Sequence, residues 1–225
     1  MPTPSLNLSV DMTFDFICPW CLIGKRNLDL ALRLLARQRP ELQVRVNWLG
    51  LQLLPQISME GEPFAEFYQR RLGGKRAVRA RMGEVRRAAE GAKVDLDLER
   101  ILTMPNTTYA HRVFQRAVHI GSDSQKEQLL EMIFRAHFQL GQDIGQRDTL
   151  CRLLRACDFN VADFDEALAD GARQFIGRRV ALADSSVPMF LLEGRAFALG
   201  GQSPEQLLAA LYRALERQVP EAISA

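Results

Sequence analysis

Cys18-Pro19-Trp20-Cys21 carries the most defined chemistry in this chain. Two thiols three positions apart at a helix start meet across one turn, close enough for a disulfide to form and break. The first turn also exposes amide N–H groups that lack intrahelical partners, and their dipoles stabilise a thiolate. Pro19 suits the first helical position because no N–H is needed there. On this reading Cys18, at the exposed end of the turn, is the nucleophile. Cys21, one turn in on the apolar face, would resolve a mixed disulfide formed at Cys18. Trp20 supplies no basic group to stabilise the thiolate further. The same spacing also describes two core cysteines or half of a zinc site. Zinc usually takes four ligands, yet the sequence has no second C-x-x-C, and His111, His119 and His137 form no ligand pattern.

A second segment of interest is Ser186-Val187-Pro188-Met189, at the start of an expected strand. Proline cannot donate to a strand ladder, and a cis Val187–Pro188 bond would turn the chain and present the Val187 backbone to an extended substrate. The segment alone favours an ordinary trans proline, because only about 5–6% of X–Pro bonds in folded proteins are cis. Cys151 and Cys157 are six apart. Six helical steps of about 100° leave their side chains on different faces, so two structural thiols are expected over an auxiliary disulfide.

The elements that must position these residues follow from hydrophobic period. Leu6, Leu8, Val10, Met12 and Phe14 alternate with polar residues, as do Leu42, Val44, Val46 and Trp48, and each run predicts a strand. Between them, Cys21, Leu28, Leu32 and Leu35 share one side of a helix spanning about Cys18 to Gln38. This is a β-α-β unit with a right-handed crossover. Its alternating strands fit poorly with a sheet covered on both faces, where continuous apolar runs are usual.

From about Glu62 to Arg173 the period changes to three and four. Helices are expected over Phe64–Leu72, Lys75–Ala89, Thr107–Ile120, a segment capped by Ser122 and Gln125, Arg147–Ala156 and Asp163–Ala169. Along Thr107–Ile120, Ala110, Val113, Phe114, Ala117 and Val118 mark the apolar side. The block 62–173 reads as an all-helical subdomain inserted into an α/β domain made of 1–61 and 174–225. Strands then resume at Val187–Leu192 and Ala196–Leu199 around Glu193-Gly194-Arg195, a glycine-containing turn. Ser203-Pro204-Glu205-Gln206 opens the last helix, which runs to about Gln218.

Composition limits the function classes. Hydrophobic residues make up 47% and charged residues 25%, a globular balance. The 29 basic and 27 acidic side chains leave a formal charge of +2, which argues against a nucleic-acid partner. Eight basic residues fall between Arg70 and Arg87 with only Glu84 opposing them, so that segment carries +7 and the remainder −5. It reads first as a solvated helix face, and more sharply as a rim that attracts acidic substrates. No aromatic residues interleave those charges, so stacking on single-stranded nucleic acid is not expected. Met1 to Ser5 shows neither a cationic nor an apolar leader pattern, and the apolar runs are too short for a membrane span. A cytoplasmic protein with no membrane partner is expected.

Several motifs together resemble the DsbA family of the thioredoxin superfamily, in its cytoplasmic FrnE-like branch of dithiol isomerases. They are Asp15-Phe16-Ile17-Cys18-Pro19-Trp20-Cys21-Leu22-Ile23-Gly24-Lys25-Arg26, Asn106-Thr107-Thr108-Tyr109-Ala110-His111-Arg112, and Ala136-His137-Phe138-Gln139-Leu140-Gly141-Gln142-Asp143-Ile144. The resemblance implies a thioredoxin-like α/β fold, β-α-β … β-β-α, with a large inserted helical subdomain. It implies catalytic roles for Cys18, Cys21 and Pro188, the last as the family's cis-proline. Pro19, Trp20, Ser186, Val187 and His111 are implied to line the substrate site, with His111 either meeting a ligand, adjusting Cys18, or serving the structure. Ser186 departs from the glycine usual before the valine–proline pair, and implies an altered substrate preference.

The resemblance implies thiol or disulfide substrates, protein or small molecule, and no tightly bound cofactor or metal. Glutathione stays open as a redox partner, because a reactive thiolate forms mixed disulfides with it. Homodimers are common in the resembling group. The related kappa-class glutathione transferases and 2-hydroxychromene-2-carboxylate isomerases generally carry serine in place of the first cysteine. A glutathione-dependent isomerase or transferase, and a non-enzymatic interaction protein on the same fold, are the alternatives.

Overall fold

A computed structural model describes residues 6–170, 175, 177 and 187–218; Ser186 lies outside the described residues. The protein has a mixed α/β fold with a central mixed sheet, helical insertions and thioredoxin-like topology. It divides into two compact units. The first comprises Met1–Phe14, Trp20–Leu49 and Val180–Ala225; the second comprises Asp15–Pro19 and Gly50–Arg179. The short turn that carries Cys18 therefore groups with the inserted unit.

In the first unit, β1 (Leu6–Phe14) is followed by α1 (Pro19–Gln38) and β2 (Leu42–Gly50). The hairpin β5 (Met189–Leu192) and β6 (Arg195–Leu199) and the helix α8 (Pro204–Gln218) complete it. The strand order is β2-β1-β5-β6. β1 pairs antiparallel with β5 from Val10 opposite Leu192 to Thr13 opposite Met189. This register explains the poor fit noted for the alternating strand. β1 is central, and two of its polar residues, Asp11 and Thr13, are buried yet bonded across the sheet. Asn47 Nδ2 donates to Asp11 Oδ1 at 2.8 Å, and the Met189 N–H donates to Thr13 Oγ1 at 3.1 Å. A buried polar side chain costs little when it is hydrogen-bonded.

The β5–β6 turn is the two-residue pair Glu193-Gly194, with φ of 48° and 78°. Two successive positive φ values define the turn that matches strand twist, and Arg195 already belongs to β6. Ser203 and Gln206 cap α8 reciprocally, each backbone N–H donating to the other's side chain. On α1 the buried stripe includes Cys21, Lys25, Leu28, Ala31 and Leu35, while Leu32 is only half-buried.

The second unit contains α2 (Phe64–Leu72), α3 (Lys75–Gly91), α4 (Thr108–Ile120), α5 (Asp123–Phe138), α6 (Arg147–Ala156) and α7 (Asp165–Leu168), the last preceded by a 3-10 turn over Val161–Phe164. The Ser122–Gln125 capping box at α5 is formed in full. The insert is not all-helical, however. Glu62–Pro63 (β3) and Thr103–Met104 (β4) pair as a two-stranded sheet. Two residues are too few to show a period, which is why the sequence pattern misses them. Val118, expected on the apolar side of α4, is 40% exposed. The unit's core gathers around Phe16, whose ring lies 5.9 Å from Phe114 and 5.2 Å from Phe134.

Candidate active site

Cys18 precedes Pro19, the first residue of the 20-residue α1, and its N–H donates to the Asp15 carbonyl at 3.1 Å. That bond closes the turn Asp15–Cys18, so the chain leaves β1 and enters the helix within four residues. The first turn of α1 holds no carboxylate that would oppose a thiolate. Cys21 lies one turn along the chain and is fully buried; Cys18 keeps 7% of its surface. Cys18 is thus less open than the exposed end of a helical turn would make it. Both are thiols in this structure, as are Cys151 and Cys157. Cys157 caps the C-terminus of α6, and burial, with the Asp158 charge second, pushes its thiol up to about 11.

The Val187–Pro188 peptide bond is cis, as the resemblance implied. Pro188 is buried and directly precedes Met189, which pairs with Thr13 at the end of the β1–β5 register. It packs on α1 at Gly24, one turn after Cys21. A Cβ there would sit 3.0 Å from Pro188 Cγ and 3.2 Å from Phe190 Cζ, so glycine permits the approach. The Pro188 carbonyl accepts the Gly200 N–H at 2.8 Å. The loop this anchors runs beneath Trp20: a Cβ on Gly201 would be 2.5 Å from Trp20 Cε3. Asn27 Nδ2 fastens the same loop by donating to the Gln202 carbonyl at 2.8 Å. Pro19, Trp20 and Val187 are each half-exposed.

His111 is 1% exposed. Its Nε2 lies 3.0 Å from Asp15 Oδ1, and Asp15 Oδ2 accepts the Leu53 N–H at 2.7 Å. The imidazole stacks on Phe175, with centroids 4.8 Å apart and planes at 12°. A Cβ on Gly50 would lie 2.6 Å from His111 Nδ1. Asn106, from the same motif, donates to the Ile57 carbonyl at 2.6 Å and accepts from Gln52 and the Thr108 N–H.

Tyr68 on α2 was not singled out in the sequence. Its ring meets Phe64 and Phe67 edge-on at 4.8 and 5.3 Å. Burial, reinforced by the Cys18 charge, pushes the phenol up to about 12, while the Arg71 and Arg81 guanidinium groups pull it back. Cys18, a neutral phenol and part of the basic segment thus act on one another electrostatically. Only its position within the expected helix Phe64–Leu72 marked Tyr68 beforehand, and that position equally suits core packing.

A cysteine pair opening the helix after a central strand, with a buried cis-proline, defines a thioredoxin fold equipped with a site suited to thiol–disulfide exchange. Residues 9–212 match the DSBA-like thioredoxin domain, and the chain belongs to that family. It is 23% identical over 194 residues to the uncharacterized protein YwbO of Bacillus subtilis (strain 168), covering 83% of this chain and 88% of that one. Among solved structures it is similar to a probable DsbA oxidoreductase from Streptomyces coelicolor. The TM-score is 0.78, identity 21%, and coverage 93% of this chain and 90% of the other. A cytosolic disulfide reductase, DsbM of Pseudomonas aeruginosa with GSH, has TM-score 0.61 and 21% identity, covering 93% of this chain and all of that one. Among the described residues no helix is long and apolar enough to cross a membrane.

Proposed function

We propose that the protein is a cytoplasmic thiol–disulfide oxidoreductase of the FrnE-like branch, working on protein or small-molecule disulfides through Cys18 and Cys21. In the reducing direction the Cys18 thiolate attacks a substrate disulfide, forms a Cys18 mixed disulfide and expels one substrate thiolate. Cys21 then attacks Cys18, expels the second thiolate and leaves a Cys18–Cys21 disulfide. Two electrons pass from the dithiol to the substrate, and the two cysteine protons end on the two substrate thiols. The cytosolic glutathione poise keeps such pairs reduced, which favours reduction or isomerisation over bulk oxidation.

The observation that carries this reading is the placement of Cys18 as the last residue before a long helix with Cys21 one turn in. Pro188, Val187, Pro19 and Trp20 are assigned to hold substrate beside that turn, Ser186 to tune the choice of substrate, and His111 to support the turn through Asp15. An insulin-reduction assay tests it. Wild type should reduce insulin with a regenerating thiol, while Cys18→Ser and Cys21→Ser should each lose at least about 100-fold, as when one of two coupled groups is removed. Equal activity in wild type and Cys18→Ser would sink the proposal.

A second reading, a glutathione-dependent isomerase or transferase, draws on the GSH named with the Pseudomonas reductase. It predicts turnover that requires glutathione and survives Cys21→Ser.

A further inference from the structure

Trp20, Gly24 and Asn27 stand at positions i, i+4 and i+7 of α1, so they lie along one face of the helix. Each of them meets the segment that runs from the cis-proline through β5 and β6 to Gln202. The six-membered ring of Trp20 abuts Gly201, where a Cβ would fall 2.5 Å from Cε3 and 3.0 Å from Cζ3. Gly24 admits Pro188 and Phe190, which would lie 3.0 and 3.2 Å from the Cβ it lacks. Asn27 Nδ2 donates to the Gln202 carbonyl at 2.8 Å.

Asn27 is 7% exposed, and asparagine is among the weaker helix formers. A buried amide in a helix interior is therefore explained by the hydrogen bond it makes. That bond ties the loop 200–202 to α1. The Gly200 N–H, which donates to the Pro188 carbonyl at 2.8 Å, ties the same loop to the start of β5. Gln202 Nε2 closes the loop on itself by donating to the Leu199 carbonyl at 2.8 Å. Gly201 lies outside the left-handed backbone region that favours glycine. A side chain there is opposed by the indole ring, not by the backbone. Loop and ring fit so closely that one methyl group would part them. Beyond this contact Trp20 stays half-exposed, and it stands two residues from Cys18 along the chain.

We infer that Asn27 is a positioning residue for Trp20: by clamping the Gly200–Gln202 loop to α1 it fixes the seat of the indole, and the seated indole selects disulfides flanked by apolar side chains. The inference rests on the oxidoreductase reading, in which Trp20 holds substrate. The seat takes up the ring at Cε3 and Cζ3 and leaves the rest of the indole as a fixed apolar surface. A preset surface spares the substrate the cost of ordering it, and an apolar side chain next to the disulfide gains by covering it. Asn27 acts only through the loop and the ring. With the loop released, affinity falls while the sulfur chemistry is kept.

Two peptides test this, each with one intramolecular disulfide, the first with leucine beside its cysteines and the second with glycine. Their reduction is followed with full-length protein and a regenerating thiol. Wild type should have the lower KM for the leucine peptide. Asn27→Ala and Gly201→Ala should each raise that KM about fivefold, the scale of one hydrogen bond. Both should leave kcat, and KM for the glycine peptide, within about twofold of wild type. In a Trp20→Ala background neither substitution should raise KM further, because residues that act through one contact are not additive. Equal KM values for the two peptides in wild type overturn the inference. So does an unchanged KM for the leucine peptide in the variants, an equal rise for both peptides, or a rise that persists without Trp20. If Asn27→Ala does not fold, Asn27→Asp, which keeps the shape but cannot donate, and Gly201→Ala, on an exposed loop residue, decide on the same outcomes. A wild type that reduces neither peptide would instead remove the oxidoreductase reading, and this inference with it.

Discussion

Asp15 Oδ1 and His111 Nε2 are 3.0 Å apart, and neither residue reaches solvent. The same aspartate accepts the Leu53 N–H through its other carboxylate oxygen and the Cys18 N–H through its backbone carbonyl. One buried residue thus ties the cysteine turn to α4 and to the segment after β2. A buried carboxylate is tolerated only while its acceptor sites are filled, so the turn's shape depends on a histidine that stands 96 positions away in the chain.

Removing that histidine should therefore loosen the turn. His111→Ala is expected to cost about 2–4 kcal/mol, from the lost imidazole packing and the abandoned carboxylate oxygen. Alkylation of Cys18 by iodoacetamide should change several-fold with it, and His111→Gln should recover part of both. Urea titration and the alkylation rate measure the two effects. A stable His111→Ala protein with unaltered Cys18 reactivity would show that Asp15 does not depend on this partner.

The contact between Gly24 and Pro188 makes a second prediction. A Cβ at position 24 must displace Pro188 Cγ by a few tenths of an ångström, because 3.0 Å is shorter than ordinary carbon contacts of about 3.5–4.0 Å. Gly24→Ala removes a flexible glycine from a helix interior, a change worth about 0.5–1 kcal/mol in favour of folding elsewhere. Here substrate turnover should fall several-fold with little or no gain in stability. Faster turnover, or the full gain in stability, would place Pro188 outside the working site.

How these relationships appear in the sequence differs from case to case. Cys18 and Cys21 were legible because their spacing and their place between a strand and a helix are local properties. The cap at Ser122 and the turn at Glu193 were legible for the same reason. Pro188 needed the whole-chain resemblance, because one X–Pro bond says little about its own isomer. Asp15 and His111 each lay in a recognised motif, but their pairing joins distant segments and no local period records it. Asn27 was within reach: its angle on the helical wheel falls on the Trp20–Gly24 face, where an asparagine inside a helical run is itself the signal. β3 and β4, at two residues each, carried no pattern at all.

Tyr68 gives a prediction about substrate choice. Its phenol stays protonated until about 12, so at neutral pH it can donate a hydrogen bond toward charge developing near Cys18. Tyr68→Phe should slow exchange about three- to tenfold at unchanged stability, the range of one modest hydrogen bond. Arg71 and Arg81 act on the same hydroxyl. Reversing both to glutamate should shift preference from acidic toward basic peptide disulfides, and added salt should erase much of the difference. Equal rates on both peptides before and after the reversal would remove the basic segment from the site.

His137 predicts how the fold responds to acid. It is fully buried, and burial lowers its imidazole from 6.5 to about 4, against opposing pulls from the Asp15 charge and the Gln142 backbone. The unfolded chain therefore takes up a proton at 6.5 that the folded protein refuses until about 4. Stability from this residue is complete above pH 6.5, declines as pH falls through that window, and is flat below it. The loss amounts to roughly 3 kcal/mol over the window. Because carboxylates titrate there as well, the measurement is a difference: urea midpoints of wild type and His137→Phe at steps from pH 7.5 to 4. The gap in favour of wild type should shrink or reverse as pH falls. A gap that holds constant across the whole range would mean that His137 is protonated in the folded state at the pH of the free imidazole, and that its burial imposes no penalty on the charge.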